Sequence, residues 1–180
     1  NLYYSVSNFG DKNSVIGLMQ CTSILKGDWK DQGAVIASSS STKYNCIDPS
    51  FIYAQAPYMV FGSFFDGIYI VRLSSSTMKP NGNLVKIASR NDGHNAIEGP
   101  CIWNGGNGYF YFFASFDKCC SGINSTYSIR YGRSKSITGP YLDKNGRSLL
   151  DGGGSILAYS DGNMIGPGGQ SVFTMKDGKA

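Results

Sequence analysis

Apolar residues in this chain come in short runs or alternations of four to seven, broken by Gly, Asn, Asp and Ser. That pattern signals strands and tight turns, and helical periodicity is almost absent. It predicts strands at Leu2–Ser7, Ser14–Thr22, Gly33–Ser38, Phe51–Tyr53, Tyr58–Ser63, Ile68–Leu73 and Leu84–Ser89. Further strands are predicted at Pro100–Trp103, Tyr109–Ser115, Tyr127–Ser134 and Ser155–Ser160, with another strand-like run at Gln170–Met175. Asn81-Gly82, Asn107-Gly108, Asn145-Gly146, Asp161-Gly162 and Asp177-Gly178 read as hairpin turns, where a left-handed backbone is needed.

The strands repeat. Asn45-Cys46-Ile47-Asp48-Pro49 leads into an apolar stretch, and fifty residues later Asn95-Ala96-Ile97-Glu98-Gly99-Pro100 does the same. With those acids aligned, Tyr58–Phe64 falls on Phe110–Phe116, and Gly67–Arg72 falls on Tyr127–Arg133. Tyr3–Ser7 with Val15–Met19 resembles the second half of such a unit, and Ile165–Phe173 the start of the next. A period near fifty residues with about four strands per unit suggests an all-β fold of propeller blades. A regular sandwich is the competing arrangement, but sandwiches do not usually repeat an acid at one place in the unit. In a propeller the innermost strand of each blade lines a central channel, so Asp48 and Glu98 would meet there. The chain holds about three blades on this reading, an open arc whose exposed edges favour aggregation of the isolated piece. It has no initiator Met and no signal-like segment, and both ends read as cut from something longer.

Composition agrees with this. The 180 residues contain 24 Gly and 13% aromatics but only 16% charged residues. The net charge of +4 is scattered, with no block basic enough for nucleic acid, and no apolar run approaches the ~18–20 residues of a membrane span. The five cysteines, Cys21, Cys46, Cys101, Cys119 and Cys120, form no zinc pattern, because His94 is the only His and no C-x-x-C pair exists. They read as buried small apolar residues, with the vicinal Cys119-Cys120 as two thiols or one of them paired elsewhere. Gly152-Gly153-Gly154 lacks the Lys-Ser/Thr and helix of a phosphate loop, and one His makes a Ser-His-Asp triad untenable.

Glu98 is the candidate proton donor. Beside apolar and aromatic groups its charged form would be disfavoured and its pKa raised, as suits a general acid; capping of backbone amides is the competing role. Asp48 is a second acid/base residue, a group positioning the first, or an ordinary Asp-Pro turn opener. Phe64, Phe65, Trp103 and Phe116 could stack on sugar faces, with core packing as the competing role for most. His94 reads as an exposed loop residue.

Three stretches carry a family resemblance: N-A-I-E-G-P (95–100), F-F-A-S-F-D-K-C-C-S-G-I-N-S-T-Y-S-I (112–129) and G-R-S-K-S-I-T-G-P-Y-L-D-K-N-G (132–146). Together with L-L-D-G-G-G (149–154), I-G-P-G-G-Q-S-V-F (165–173), Y-Y-S-V-S-N-F-G, I-D-P and F-G-S-F, they resemble endo-1,5-α-L-arabinanases of glycoside hydrolase family 43. The resemblance implies a five-bladed propeller, of which residues 1–180 are a partial catalytic domain lacking blades at both ends. It also implies secretion, action as a monomer when full length, and inverting endo-hydrolysis of α-1,5-linked arabinan or arabino-oligosaccharides. The runners-up are an exo-acting arabinofuranosidase or β-xylosidase, and a non-catalytic carbohydrate-binding propeller.

By the same resemblance Glu98 is the general acid and Asp48 modulates its pKa and orients it. Substrate contacts map to Asn45, Asp48, Glu98 and the Ser63–Gly67 loop, with Ser63, Phe65, Asp66 and Gly67. The family's general-base Asp has no counterpart, since Asp11, Asp28 and Asp31 lie outside the matching motif, so the chain alone should not turn over substrate. No cofactor is assigned: many relatives hold a channel cation such as calcium with a His in G-P-G-H, but here the motif reads Gly166-Pro167-Gly168-Gly169-Gln170. The Asn124-Ser125-Thr126 sequon falls inside the family motif near the active face, which argues against its glycosylation.

Overall fold

The computed structural model describes residues 1–178 and 180, and its regular structure is β apart from two single-turn 3-10 helices, Gly122–Asn124 and Leu149–Asp151. The first sheet is β1 (Leu2–Ser7), β2 (Ser14–Gln20) and β3 (Lys30–Ser38). The second is β4 (Ser50–Ala54), β5 (Ala56–Phe61), β6 (Ile68–Arg72) and β7 (Val85–Ala88). The third is β8 (Ile97–Asn104), β9 (Phe110–Phe116), β10 (Ser128–Ser134) and β11 (Ser155–Ala158). Within each sheet, strands consecutive in the chain are antiparallel neighbours, so each is a simple meander. The aligned repeats occupy equivalent places: β5 and β9 are second strands, and β6 and β10 are third.

The core lies between the sheets. Val60, Ile68 and Ile70 pack against Ile97, Ile102, Phe112, Ala114 and Phe116 of the third sheet. Their immediate neighbours Met59, Phe61, Tyr69 and Val71 point the other way, onto Ile16 and Cys46. Alternate residues of a strand face opposite sides of its sheet. A sheet covered on both faces therefore reads as an unbroken apolar run, which is why Tyr58–Phe61 and Ile68–Val71 show no polar alternation.

Two expectations change. Gln170–Met175 forms no ladder: it crosses one face of the third sheet and is held by side chains. Ser115 Oγ donates to Gln170 Oε1 at 3.1 Å, and Trp103 Nε1 donates to Thr174 Oγ1 at 2.9 Å. The eighth strand also starts earlier than the apolar pattern indicates, at Ile97, so Glu98 lies within it rather than before it. The five anticipated turns do carry glycines at positive φ, Gly82, Gly108, Gly146, Gly162 and Gly178.

Gly67 is the glycine on which the site's loop depends. Its φ is 90°, and a Cβ there would lie 2.3 Å from the Ala88 carbonyl oxygen. Gly93 has a similar φ of 85° but open space around its Cβ position. Gly93→Ala is therefore expected to cost about 1 kcal/mol, the left-handed strain alone. Gly67→Ala should cost about 3 kcal/mol or more, because backbone must also move. Urea unfolding of the two variants checks this; equal losses would show that the clash is relieved without cost.

Candidate active site

Glu98 is aimed by a β-bulge. It sits opposite Ser115 of β9, and the register then slips before the Cys101–Phe113 pair. Gly99 takes up the slip at φ 56°, and Pro100, with no amide hydrogen to give a ladder, fits where the ladder is interrupted. The Glu98 carboxyl is held by two sheets. Ser63, just beyond β5, donates to Oε2 at 2.8 Å, and Tyr127, just before β10, donates to Oε1 at 2.8 Å. Its surroundings are thus more polar than Ile97 and Pro100 suggest. Burial and the bond to Glu98 push the Tyr127 phenol up, against an opposing contribution from the Ser115 hydroxyl.

Asp48 grips the same bulge. Its backbone is left-handed, φ 56°, and its Oδ2 accepts the Gly99 N–H at 3.0 Å. Burial raises the Asp48 pKa, the Gly99 N–H opposes that, and the charge of Glu98 adds to it. On the other side of the residue, Gln170 Nε2 donates to the Gly99 carbonyl at 2.5 Å. Ser115 Oγ accepts the Gly169 N–H at 2.9 Å, which ties the 166–170 segment to the strand opposite Glu98.

The Ser63–Gly67 loop is fixed from two sides. The Phe64 N–H donates to Ile97 O at 2.9 Å, and Asn95 Nδ2 donates to Phe65 O at 3.0 Å. Asn95 is buried, and its Oδ1 also accepts from Ser89 Oγ and the Arg90 N–H. Phe65 is exposed, with the Lys12 ammonium 5.6 Å from its ring centroid. Asp66 turns towards its own sheet, bonding the Tyr69 hydroxyl and pairing with Lys86 at 2.9 Å. Burial opposes ionisation of Asp66, but those two partners outweigh it and hold the carboxyl below the usual range. Asn45 is buried and accepts from Ser14 Oγ at 2.8 Å. The structure therefore brings Ser63, Asp48 and Glu98 together, while Asn45 and Asp66 have their oxygens engaged elsewhere.

Beside this group lies a cleft of about 480 Å³ lined by Phe64, Asp92, His94, Asp117, Cys119 and Thr126. His94 is exposed on its rim, as the sequence suggests. Asp117 is taken up by Arg90 and Arg130, each at 2.8 Å. Of the other sugar-stacking candidates, Phe116 is fully buried in the core, and Trp103 lies towards the opposite end of β8 against Tyr111. Asp11, Asp28 and Asp31 bond within the first sheet, to Asn13, Thr22 and Tyr4 with Gly33. Of the cysteines only Cys46 and Cys101 are buried, and all five are free thiols.

The site thus presents one carboxyl at a bulge, bonded by two hydroxyls, with a second carboxyl beside it. The model of the glycosyl hydrolases family 43 matches residues 1–180. The chain belongs to this family. It is 54% identical over 173 residues to the extracellular endo-alpha-(1->5)-L-arabinanase 1 of Bacillus subtilis, covering 95% of this chain and 53% of that one. It is 40% identical over 182 residues to a probable arabinan endo-1,5-alpha-L-arabinosidase A of Aspergillus terreus, covering 97% and 54%. Among solved structures, the GH43 endo-arabinanase from Bacillus licheniformis superposes with a TM-score of 0.90 at 48% identity, over 95% of this chain and 59% of that one. The chain spans about half the length of the curated relatives it matches. Its antiparallel sheets match those of family 43 propellers.

In the 166–170 segment, where the resemblance led us to look for a cation-binding His, Gly169 has no side chain and the Gln170 amide is engaged by Ser115 and Gly99. This segment does not fit a cation held by an imidazole. Tyr127, Ser115 and Gln170 were not singled out from the residues themselves. All three do lie inside stretches carrying the family resemblance, F-F-A-S-F, N-S-T-Y and G-P-G-G-Q.

The Asp48 shift has a consequence for stability. A carboxyl whose folded pKa is raised favours the fold where it is protonated; that contribution is present below the unfolded pKa and lost as pH rises through the folded pKa. Asp48→Asn retains an acceptor for the Gly99 N–H and removes the buried charge. It should therefore melt higher than the parent at neutral pH, and the difference should close as pH falls into the carboxylate range. Melting curves across that range check this; a pH-independent difference would remove the charge as the cause.

Proposed function

We propose that this chain carries the proton-donor part of an arabinan-hydrolysing site, in a secreted protein whose propeller has five blades, about three of them within residues 1–180. The observation that carries the reading is the Glu98 carboxyl, held by Ser63 and Tyr127 at 2.8 Å each on a bulge bonded to Asp48. Glu98 gives its proton to the glycosidic oxygen as the bond breaks. Asp48 orients it through the Gly99 amide, and the two carboxyls feel each other's charge. Inversion requires a further carboxylate, about 6.5–9.5 Å from the donor, to activate water on the opposite face. With Asp11, Asp28, Asp31 and Asp117 all engaged elsewhere, that base is assigned to residues outside 1–180. The names of the Bacillus and Aspergillus relatives support α-1,5-linked arabinan as substrate, and the word extracellular in the Bacillus name supports secretion. Phe65, exposed beside Lys12, and Phe64, on the cleft wall, are the aromatic groups proposed to meet a sugar ring. Substrate is the one partner proposed; no cation is assigned to the 166–170 segment, and the full-length protein acts as a monomer.

An exo-acting reading is kept as the alternative because one neighbour is an exo-1,5-alpha-L-arabinanase from a bovine ruminal metagenomic library, 41% identical with a TM-score of 0.89. Digestion of debranched arabinan by the full-length protein separates the two: a ladder of oligomers means endo action, and monomer or one short product means exo.

In the full-length protein, Glu98→Gln is expected to lose nearly all turnover on arabinan while still binding it in a pull-down. Turnover near the parent level would overturn the donor assignment. Tyr127→Phe removes one hydroxyl bond to the donor and should lower kcat about tenfold with KM nearly unchanged. A rise in KM alone would make Tyr127 a substrate-binding residue instead.

A further inference from the structure

Cys119 and Cys120 lie in a loop that is closed at its base. The Thr126 N–H donates to Lys118 O at 3.1 Å, the Lys118 N–H donates to Thr126 Oγ1 at 3.2 Å, and Ser125 Oγ donates to Lys118 O at 2.8 Å. Beyond that base the loop lies on the surface, with Gly122, Ile123 and Asn124 exposed in a single 3-10 turn. The two sulfurs are in contact at 2.8 Å and are not bonded to each other. They differ in access. Cys120 is exposed, at φ 56°, while Cys119 is half-buried and forms part of the wall of the cleft beside Phe64 and Thr126. The other thiols are placed differently: Cys21 follows β2 in the first sheet, and Cys46 and Cys101 are buried.

From this juxtaposition we propose that Cys119 and Cys120 form a reversible dithiol site that takes a small-molecule disulfide as its oxidant and closes to a vicinal disulfide on the wall of the cleft. Cys120, the accessible partner, attacks one sulfur of the incoming disulfide as its thiolate, and the first small thiol leaves with the proton. Cys119 then loses its proton and attacks the Cys120 sulfur of the mixed disulfide, and the second small thiol leaves. Two electrons pass from the protein pair to the small disulfide, which ends as two thiols. The second step joins two sulfurs that already adjoin, so it needs only a local adjustment of the Cys119-Cys120 unit. Neighbouring Cα atoms lie ~3.8 Å apart, short of the usual disulfide span of about 4.4–6.8 Å, so the bond is strained and readily reduced. The site is therefore labile, and it adjoins Thr126 and Tyr127, whose hydroxyl holds Glu98.

The test does not depend on the proposed activity. The full-length protein is incubated with oxidised glutathione, alkylated, digested with trypsin and weighed. The peptide Cys119–Arg130 is expected to lose its two thiol hydrogens, carry no glutathione and resist alkylation, and dithiothreitol should restore both thiols. In Cys119→Ser the second step is impossible, so Cys120 should retain glutathione as a stable mixed disulfide. In Cys120→Ser the half-buried Cys119 should react about tenfold more slowly than Cys120 does. Three results would overturn the proposal: retained glutathione on the parent's Cys120, full alkylation of both thiols after exposure, or a bridge from either cysteine to Cys21 or to another chain.

Discussion

The backbone of Gly99 is the point on which the candidate site turns. Its N–H goes to Asp48 and its carbonyl receives Gln170, so a backbone unit left out of the ladder by the bulge is satisfied from both sides. Without those partners the left-handed turn would leave two partly buried polar groups unmatched, each a loss of about 1–3 kcal/mol. With them, Glu98 is directed between two sheets, where Ser63 and Tyr127 meet it. The acid's position is thus set by backbone hydrogen bonding, and the side-chain contacts follow from it.

The same economy of partners explains which acids remain available for chemistry. Asp66, Asp92 and Asp117 all lie near the site, but each is closely engaged. Asp66 has Tyr69 and Lys86; Asp92 accepts backbone N–H groups of the 94–96 turn; Asp117 bridges two arginines. For Asp92 burial is outweighed by those N–H groups and Arg90, and its carboxyl is held below the usual range. Such groups shape the loops around the cleft. Asp48 differs from them: burial raises its pKa, and the Gly99 N–H that it accepts is a neutral amide that does not reverse the shift.

Much of the fold could be read from the chain because its strands are marked locally, by apolar runs bounded by Asn-Gly and Asp-Gly turns. All eleven strands found among the described residues overlap a predicted one. The acid at Glu98 was legible for a similar reason, as a charge placed beside a buried strand and echoed at Asp48. The bulge was not, because a slip of register between Glu98 and Cys101 leaves no mark that Gly-Pro alone would distinguish from an ordinary turn. Nor were Tyr127 and Gln170, whose bonds to the site cross 29 and 71 residues of chain and depend on how the sheets stack. Gln170–Met175 misled for the complementary reason: its residues suit a strand, but their partners lie on the face of a sheet rather than along an edge.

The middle sheet divides its side chains between two cores, Val60, Ile68 and Ile70 on one side and Met59, Phe61, Tyr69 and Val71 on the other. One residue inserted into or deleted from β5 or β6 would exchange the two sets and misfit both interfaces at once. Length variation among homologues should therefore be excluded from these two strands and collect in peripheral connections such as the Ser74–Lys79 turn. Packing alone therefore constrains the spacing from Ser63 back to the first sheet, independently of the chemistry it supports.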